Sequence, residues 1–160
     1  IDFGSAGLWV QWNNGSWQKL YAGTTRYLAM GDVDGNGTEN LVVDFGSAWG
    51  IFMRKDDGRF TRLNRASGVQ MVTGDLDGNG QAEVVVDFGA IGLWVMQNND
   101  TSNWQKLYAR SPEQMVSRYL DDNNQADLVL DFGPNIGLWA WKNHSVWEKL
   151  YSGSPTSIGY

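Results

Sequence analysis

Residues 31–40 read Gly-Asp-Val-Asp-Gly-Asn-Gly-Thr-Glu-Asn, and the rest of the chain repeats around them. The apolar run Leu-Val-Val follows at 41–43, and Asp-Phe-Gly follows at 44–46. Oxygen-bearing side chains at alternate positions, with glycines between them, are typical of a loop that holds a hard cation. The apolar run predicts a buried strand. This stretch therefore predicts a cation-binding loop that leads directly into a strand.

The same unit returns twice. Residues 74–83 read Gly-Asp-Leu-Asp-Gly-Asn-Gly-Gln-Ala-Glu, and residues 118–127 read Arg-Tyr-Leu-Asp-Asp-Asn-Asn-Gln-Ala-Asp. The Asp-Phe-Gly triplets begin at positions 2, 44, 87 and 131, which are 42, 43 and 44 residues apart. A period in the forties that is built of strands is typical of β-propeller blades.

Two further motifs complete each unit, and a polar turn such as 13–15 or 56–58 separates them. A turn of this kind predicts a hairpin, so each unit has four antiparallel strands. In the second unit we expect these strands at 27–31, 40–45, 50–55 and 59–64. No helical periodicity of useful length is present. The first motif occupies 7–10, 50–53, 92–95 and 137–140, and the second occupies 17–20, 60–63, 104–107 and 147–150.

The predicted fold is an all-β propeller, with about four blades of four antiparallel strands in a single domain, 1–160. The units are approximately 1–23 (partial), 27–66, 70–109 and 114–151, with a terminal strand at 156–160. Three arrangements would pair the incomplete first unit: a four-bladed ring within the chain, an eight-bladed ring shared by a homodimer, or a longer propeller. Four-bladed rings are uncommon, which favours the last two. The opening at Ile1 indicates a mature product or a fragment.

Composition excludes several classes of protein. The 160 residues carry a net charge of −6, which disfavours a nucleic-acid partner and favours divalent cations. The chain contains no Cys, so disulfides, thiolate metal sites and a Cys nucleophile are excluded. No apolar run approaches the ~18 residues of a membrane-spanning helix, so membrane insertion is not expected.

The loop spacing identifies candidate Ca²⁺ ligands. Side chains at loop positions one, three and five, together with a carbonyl at position seven, can converge on one ion. Position nine supplies a further side chain. The third loop has Tyr119 at position one, which should weaken or abolish binding there. The candidate ligands are Asp32, Asp34, Asn36, the Thr38 carbonyl and Asn40; Asp75, Asp77, Asn79, the Gln81 carbonyl and Glu83; and Asp121, Asn123 and Asp127.

The other conspicuous residues favour a scaffold. An Asp that recurs in every Asp-Phe-Gly triplet predicts a hydrogen-bonded turn. The only His, His144, lies in a predicted hairpin, and no catalytic constellation accompanies it. The Trp residues that repeat in register predict filler between blades, with stacking on a ligand as the alternative. Trp12, Trp49 and Trp141 are out of register, so we expect these three to make exposed ligand contacts.

These motifs resemble the FG-GAP repeat, also called the VCBS repeat, of integrin-like β-propellers. The resemblance covers essentially the whole chain and rests on the Gly-Asp-x-Asp-Gly-Asn-Gly loops, the strand after each loop and the Phe-Gly that ends the strand. It implies a propeller of seven or eight blades with calcium in its loops. The family usually has Asp at position nine, where the first loop has Asn40. Members include extracellular adhesion proteins, fungal lectins and accessory modules of secreted enzymes.

We therefore expect a secreted or cell-surface, calcium-stabilised binding module rather than an enzyme. The lectin members imply carbohydrate as the ligand, with repeated sites between blades. The alternative is a structural or protein-adhesion propeller within a larger surface or secreted protein.

Overall fold

The computed structural model describes residues 1–11 and 15–159, and these residues form an all-β fold. Two 3-10 turns, Gly4–Ala6 and Gly89–Ile91, are the helical elements of the described chain. The strands are β1 Leu8–Gln11, β2 Trp17–Tyr21, β3 Tyr27–Gly31, β4 Asn40–Asp44, β5 Ile51–Arg54, β6 Phe60–Asn64, β7 Gln70–Gly74, β8 Glu83–Asp87, β9 Leu93–Met96, β10 Trp104–Tyr108, β11 Gln114–Arg118, β12 Asp127–Asp131, β13 Leu138–Lys142 and β14 Val146–Tyr151.

The strands form four antiparallel sheets that follow chain order. Sheet 1 pairs β1 with β2, sheet 2 contains β3–β6, sheet 3 contains β7–β10, and sheet 4 contains β11–β14. The same irregularity in register recurs in all four sheets between the two strands of the last hairpin. A β-bulge bends its strand and increases the local twist. Because the register shift occurs at the same position in every sheet, it is a regular feature of the repeat.

The strands predicted in the second unit are confirmed to within one residue at each end. The terminal strand predicted at 156–160 is not: residues 156–159 belong to no sheet, and Tyr160 lies outside the described residues. Among the described residues, no strand pairs with this segment through backbone hydrogen bonds. Instead, Ile158 N–H donates to Gln114 Oε1 at 3.2 Å, and Gln114 Nε2 donates to the Thr156 carbonyl at 3.4 Å.

The three four-stranded sheets meet through their first strands. β3 packs beside β7, and β7 packs beside β11, although each belongs to a different sheet. The core forms two clusters, one between sheets 2 and 3 and one between sheets 3 and 4. Strand β8 serves both clusters, since Val84 and Val86 face the first and Val85 faces the second. The alternation of a strand's side chains thus joins three sheets into one stack.

The Asp-Phe-Gly corners confirm the prediction that their carboxylates organise a turn. Asp44 Oδ1 accepts the Gly46 N–H at 2.7 Å, while Oδ2 accepts the Gly68 N–H at 2.7 Å and the Ser67 hydroxyl at 2.9 Å. Each carboxylate therefore ties the end of a second strand to the segment that enters the next sheet. The equivalent carboxylates Asp2, Asp87 and Asp131 bind Thr25, Ser111 and Ser154.

The described residues contain no helix long and apolar enough to cross a bilayer.

Candidate metal centre and aromatic pockets

The second loop brings three carboxylates together. Asp75, Asp77 and Glu83 each offer an oxygen, and these three oxygens lie within 4.8 Å of one another. Glycines at positive φ, including Gly78 and Gly80, let the chain curl around this point. Asp75 accepts backbone N–H groups from the turn at 2.8–3.1 Å. Backbone hydrogen bonds thus hold the acids of this loop close together. A bound cation would relieve the electrostatic repulsion between their carboxylates.

Glu83 is the most unusual of these acids because it is fully buried. Its Oε2 accepts the Leu76 N–H at 2.8 Å, while Oε1 has no hydrogen-bond partner. The Asn98 amide favours the charged form of Glu83 but does not complete a hydrogen bond to Oε1. Burial is the main cause that raises the pKa of Glu83 to about 7, and the nearby Asp77 and Asp75 raise it further. A buried oxygen without a partner beside two carboxylates fits a metal ligand.

The first loop has a similar form, but its candidate ligands include two acids where those of the second loop include three. Asp32 accepts the N–H groups of Asn36 and Gly37 at 3.0 and 2.7 Å. Asn40 replaces the acid at position nine, and its Oδ1 accepts the Val33 and Asp34 N–H groups at 2.9 and 3.1 Å. Asp34 Oδ1 is buried without a partner. The loop therefore keeps one unpartnered carboxylate oxygen for a cation, but its candidate ligands carry one negative charge fewer than those of the second loop.

The third loop is organised differently. Tyr119 stands at position one and is 66% exposed. Asp127 is fully buried, and its two oxygens accept the Leu120 N–H at 3.0 Å and the Asn143 N–H at 3.2 Å. Asp121 faces the Lys142 ammonium, with 3.5 Å between Oδ2 and Nζ. Both oxygens of Asp127 and Oδ2 of Asp121 thus already have partners within the protein, whereas Asp121 Oδ1 is buried without one.

The predicted Asn ligands hydrogen-bond to the backbone of their own turns. The Asn side chain at position five accepts, through Oδ1, the amide two residues later in each loop: Asn36 from Thr38 at 2.8 Å, Asn79 from Gln81 at 2.6 Å and Asn123 from Gln125 at 2.8 Å.

The three Trp residues predicted to contact a ligand differ in solvent exposure and in whether the structure describes them. Trp49 is 61% exposed on the turn between β4 and β5, as expected. The expected exposure is wrong for Trp141, which is only 5% exposed and packs in the cluster between sheets 3 and 4. Its ring also meets His144 edge to face, with centroids 5.1 Å apart. Trp12 lies outside the described residues.

Two equivalent aromatic pockets were not predicted as sites. One lies between sheets 2 and 3, has a volume of about 240 Å³ and is lined by Phe88, Trp94 and Trp104 with Asn64. The other lies between sheets 3 and 4 and has the same volume. The repeated Trp positions gave the only sequence signal, and that signal also fits core packing. The second pocket is lined by Tyr108, Phe132, Trp139 and Trp147.

Both pockets hold an indole ring in a fixed pose. Trp94 Nε1–H donates to the Ile91 carbonyl at 3.3 Å, and the Lys106 ammonium lies 5.6 Å from the ring centroid. Trp139 has the same contacts, with the Ile136 carbonyl at 3.2 Å and the Lys149 ammonium at 5.6 Å. A ring held in this way presents a preformed apolar surface at low cost in conformational entropy.

A larger cavity of about 660 Å³ lies between sheets 1 and 2. Its lining is largely aliphatic and includes Leu8, Leu20, Leu28 and Leu41. This cavity adjoins sheet 1, which has two strands, whereas sheets 2, 3 and 4 each have four.

No protein-family model matches the chain, and no curated protein matches its sequence.

Proposed function

We propose that this chain is a calcium-stabilised β-propeller module that binds carbohydrate outside the cell. The observation that carries the metal part is the second loop, where the unpartnered Glu83 Oε1 stands beside Asp75 and Asp77. Calcium prefers six to eight oxygen ligands, and these side chains supply the anionic part of such a shell.

The arrangement of the sheets supports the propeller. Four-stranded antiparallel sheets follow one another along the chain, and their first strands lie side by side. Blades around an axis would place their innermost strands side by side, so this arrangement supports the propeller. Together with the repeated loops, it agrees with the resemblance to FG-GAP/VCBS propellers. The two-stranded sheet 1 and its adjoining aliphatic cavity favour completion by further strands, either from a second copy in a homodimer or within a longer propeller.

The aromatic pockets support carbohydrate as the ligand. Each lies between neighbouring sheets and presents Trp beside other aromatic rings in a volume of about 240 Å³. The apolar face of a sugar ring stacks on such a surface, while its hydroxyls remain available to rim groups such as Asn64. Two equivalent pockets predict at least two binding sites per chain, which fits a repeated binding module better than an enzyme with one dominant site.

Metal binding is tested by thermal melting. An ion that binds only the folded protein adds RT ln(1 + [L]/Kd) to stability, which at 1 mM ion and a Kd of 10⁻⁴–10⁻³ M is roughly 0.4–1.4 kcal/mol per site. We expect calcium to raise the melting temperature and excess chelator to reverse the increase. Magnesium at matched ionic strength is the control. A melt that does not respond to calcium would remove the metal proposal.

Carbohydrate binding is tested on a glycan array that includes neutral and amino sugars. We expect binding that falls at least tenfold in Trp94→Ala/Trp139→Ala and remains in Trp49→Ala. An array without hits would retire the carbohydrate proposal.

The protein-adhesion alternative is favoured by one observation, the 61% exposure of Trp49 on a turn that lines neither aromatic pocket. If adhesion to a protein is the function, Trp49→Ala weakens binding and the pocket variants do not.

A further inference from the structure

The third loop differs from the other two in the group at its first position. In the first two loops an Asp at this position gathers the amides of the turn, as Asp32 does for Asn36 and Gly37. Tyr119 has no carboxylate with which to do this, and two thirds of its surface is exposed. The third loop therefore has two anionic candidate ligands, as the first loop does, against three in the second loop, and it lacks the one at position one.

A positive charge from the protein stands beside the third loop. The Lys142 Nζ lies 3.5 Å from Asp121 Oδ2 and 3.5 Å from Glu148 Oε2, and the Lys142 side chain is only 21% exposed. Asp121 occupies the third loop position, which Asp34 and Asp77 hold in the other loops. Its Oδ1 is buried without a hydrogen-bond partner, as Asp34 Oδ1 is, but Asp121 differs from Asp34 in facing an ammonium group through its other oxygen.

The strand register shows that the ion pair, rather than the presence of a cation, is particular to this repeat. Trp141 faces Leu128 across sheet 4, as Met96 faces Val84 in sheet 3 and Arg54 faces Leu41 in sheet 2. Lys142 is therefore equivalent to Gln97 and Lys55. Gln97 is neutral, and its Nε2 lies 2.8 Å from His144 Nε2. Within the described chain, no ion pair joins Lys55 to a carboxylate of the first loop.

The other acidic candidate ligand of the third loop, Asp127, is fully hydrogen-bonded. Both oxygens of Asp127 accept backbone N–H groups, from Leu120 and from Asn143. Its counterpart Glu83 has one oxygen without a partner. A metal ion that took Asp127 as a ligand would have to displace one of these hydrogen bonds, and an ion bound to Asp121 would lie next to an ammonium group, which like-charge repulsion opposes.

We propose that the Lys142 ammonium replaces the metal ion in the third loop, so that the chain binds calcium at its first and second loops only. This inference rests on the proposed calcium function of those two loops. It assigns Lys142 a structural role that a chelator cannot remove. The third loop keeps its form without calcium, while the ion stabilises the first two loops.

The direct test counts calcium ions on the folded chain by native mass spectrometry. We expect two ions per chain, with one lost in Asp34→Asn, one lost in Asp77→Asn and none lost in Asp121→Asn. Three ions in the unmodified chain, or a count that falls in Asp121→Asn, would overturn the role given to Lys142. An unmodified chain without any ion would instead defeat the proposed calcium function, so the two failures are distinguishable.

A gain-of-site experiment tests the role of Lys142 itself. Tyr119→Asp/Lys142→Gln restores the missing ligand and removes the ammonium, so we expect a third ion. Tyr119→Asp/Lys55→Gln is the matched control, because it makes the same changes of residue type but leaves Lys142 in place, and we expect it to keep two ions. A variant with an unchanged circular dichroism spectrum and no third ion would contradict the proposal. If the variant does not fold, the Asp121→Asn count decides.

Discussion

At the scale of single residues, loop position nine shows how one side chain sets the character of a repeat. Asn40, Glu83 and Asp127 are all buried, and each accepts an amide from its own loop. They differ in charge and in the hydrogen bonding of their side-chain oxygens. Asn40 is neutral, Glu83 has one carboxyl oxygen without a partner, and Asp127 has a partner for each of its two oxygens. Sequence spacing identified all three positions, but it could not show which of them lacks a partner, because that depends on how the following hairpin packs.

Glu83 should make the metal-free protein less stable as pH rises. Its pKa is about 7 in the folded state, against 4.5 for an ordinary Glu. Below pH 4.5 the carboxyl is protonated in both states; between 4.5 and 7 the unfolded chain loses the proton while the folded chain retains it. Stability therefore falls by on the order of 2 kcal/mol between pH 5 and pH 7.5. Urea unfolding at several pH values measures this.

The comparison for this prediction is Glu83→Gln, which removes the titration and leaves every other acid unchanged. We expect a flatter pH dependence in the variant than in the unmodified, metal-free chain. Calcium should also flatten the profile of the unmodified chain, since it favours the ionised carboxylate. Parallel profiles for the two chains without metal would show that Glu83 does not titrate in this range.

Asp44→Asn should destabilise the protein more than Ser67→Ala. The carboxylate of Asp44 accepts from Gly46, Ser67 and Gly68, so an amide nitrogen in place of one oxygen leaves a donor facing a donor inside the corner. We expect a cost of about 1–3 kcal/mol for Asp44→Asn and about 1 kcal/mol for Ser67→Ala. Denaturant unfolding measures both values. Equal costs would indicate that the charged acceptor has no special role in the corner.

At the scale of strands and turns, the sequence predicted the strands because each carries a local signal. Apolar runs mark the buried second strands, and Asn- and Gly-rich turns mark the hairpins that follow. The segment 156–159 has a similar sequence position to β7 and β11 but is not a strand, because a strand requires hydrogen-bonding partners that no local pattern supplies. The recurrent register shift in the last hairpin of each sheet likewise has no obvious sequence signature.

Gly50→Ala and Gly46→Ala form a matched pair within one turn. Both glycines have positive φ, 87° and 85°, so both substitutions bear the backbone cost of a left-handed conformation, roughly 1–2 kcal/mol. They differ in space: a Cβ at Gly50 would lie 2.2 Å from the Asn64 carbonyl oxygen, whereas at Gly46 the nearest atom is Arg26 Cδ at 3.9 Å. We therefore expect Gly50→Ala to lower the melting temperature clearly more than Gly46→Ala. Equal melting temperatures would contradict the close approach.

At the scale of the whole molecule, sequence reasoning predicted the repeat but could not distinguish packing from ligand contact. Trp141 was expected at the surface because it is out of register, yet it fills the space between sheets 3 and 4. The pocket-lining Trp94 and Trp139 were assigned chiefly to packing because they are in register. Whether a ring is exposed depends on the separation of neighbouring sheets, which is a property of several distant segments together.

The two core clusters predict how mutations should combine across the molecule. Val42 and Val86 belong to the cluster between sheets 2 and 3, whereas Val85, adjacent to Val86 in sequence, belongs to the cluster between sheets 3 and 4. All three side chains are fully buried, so each Val→Ala change should cost about 2 kcal/mol. Double-mutant cycles measured by urea unfolding would test the separation of the clusters.

Residues that share a cluster should interact energetically, because the space left by one truncation is available to the neighbours of the other. We expect Val42→Ala/Val86→Ala to depart from additivity by about 0.5 kcal/mol or more, and Val42→Ala/Val85→Ala to be additive within roughly that value. Val85 and Val86 differ by a single position, so strand propensity and location are matched between the two cycles. A coupling of equal size in both would mean that the stack has one continuous core, and that a change in one interface spreads through β8 to the other.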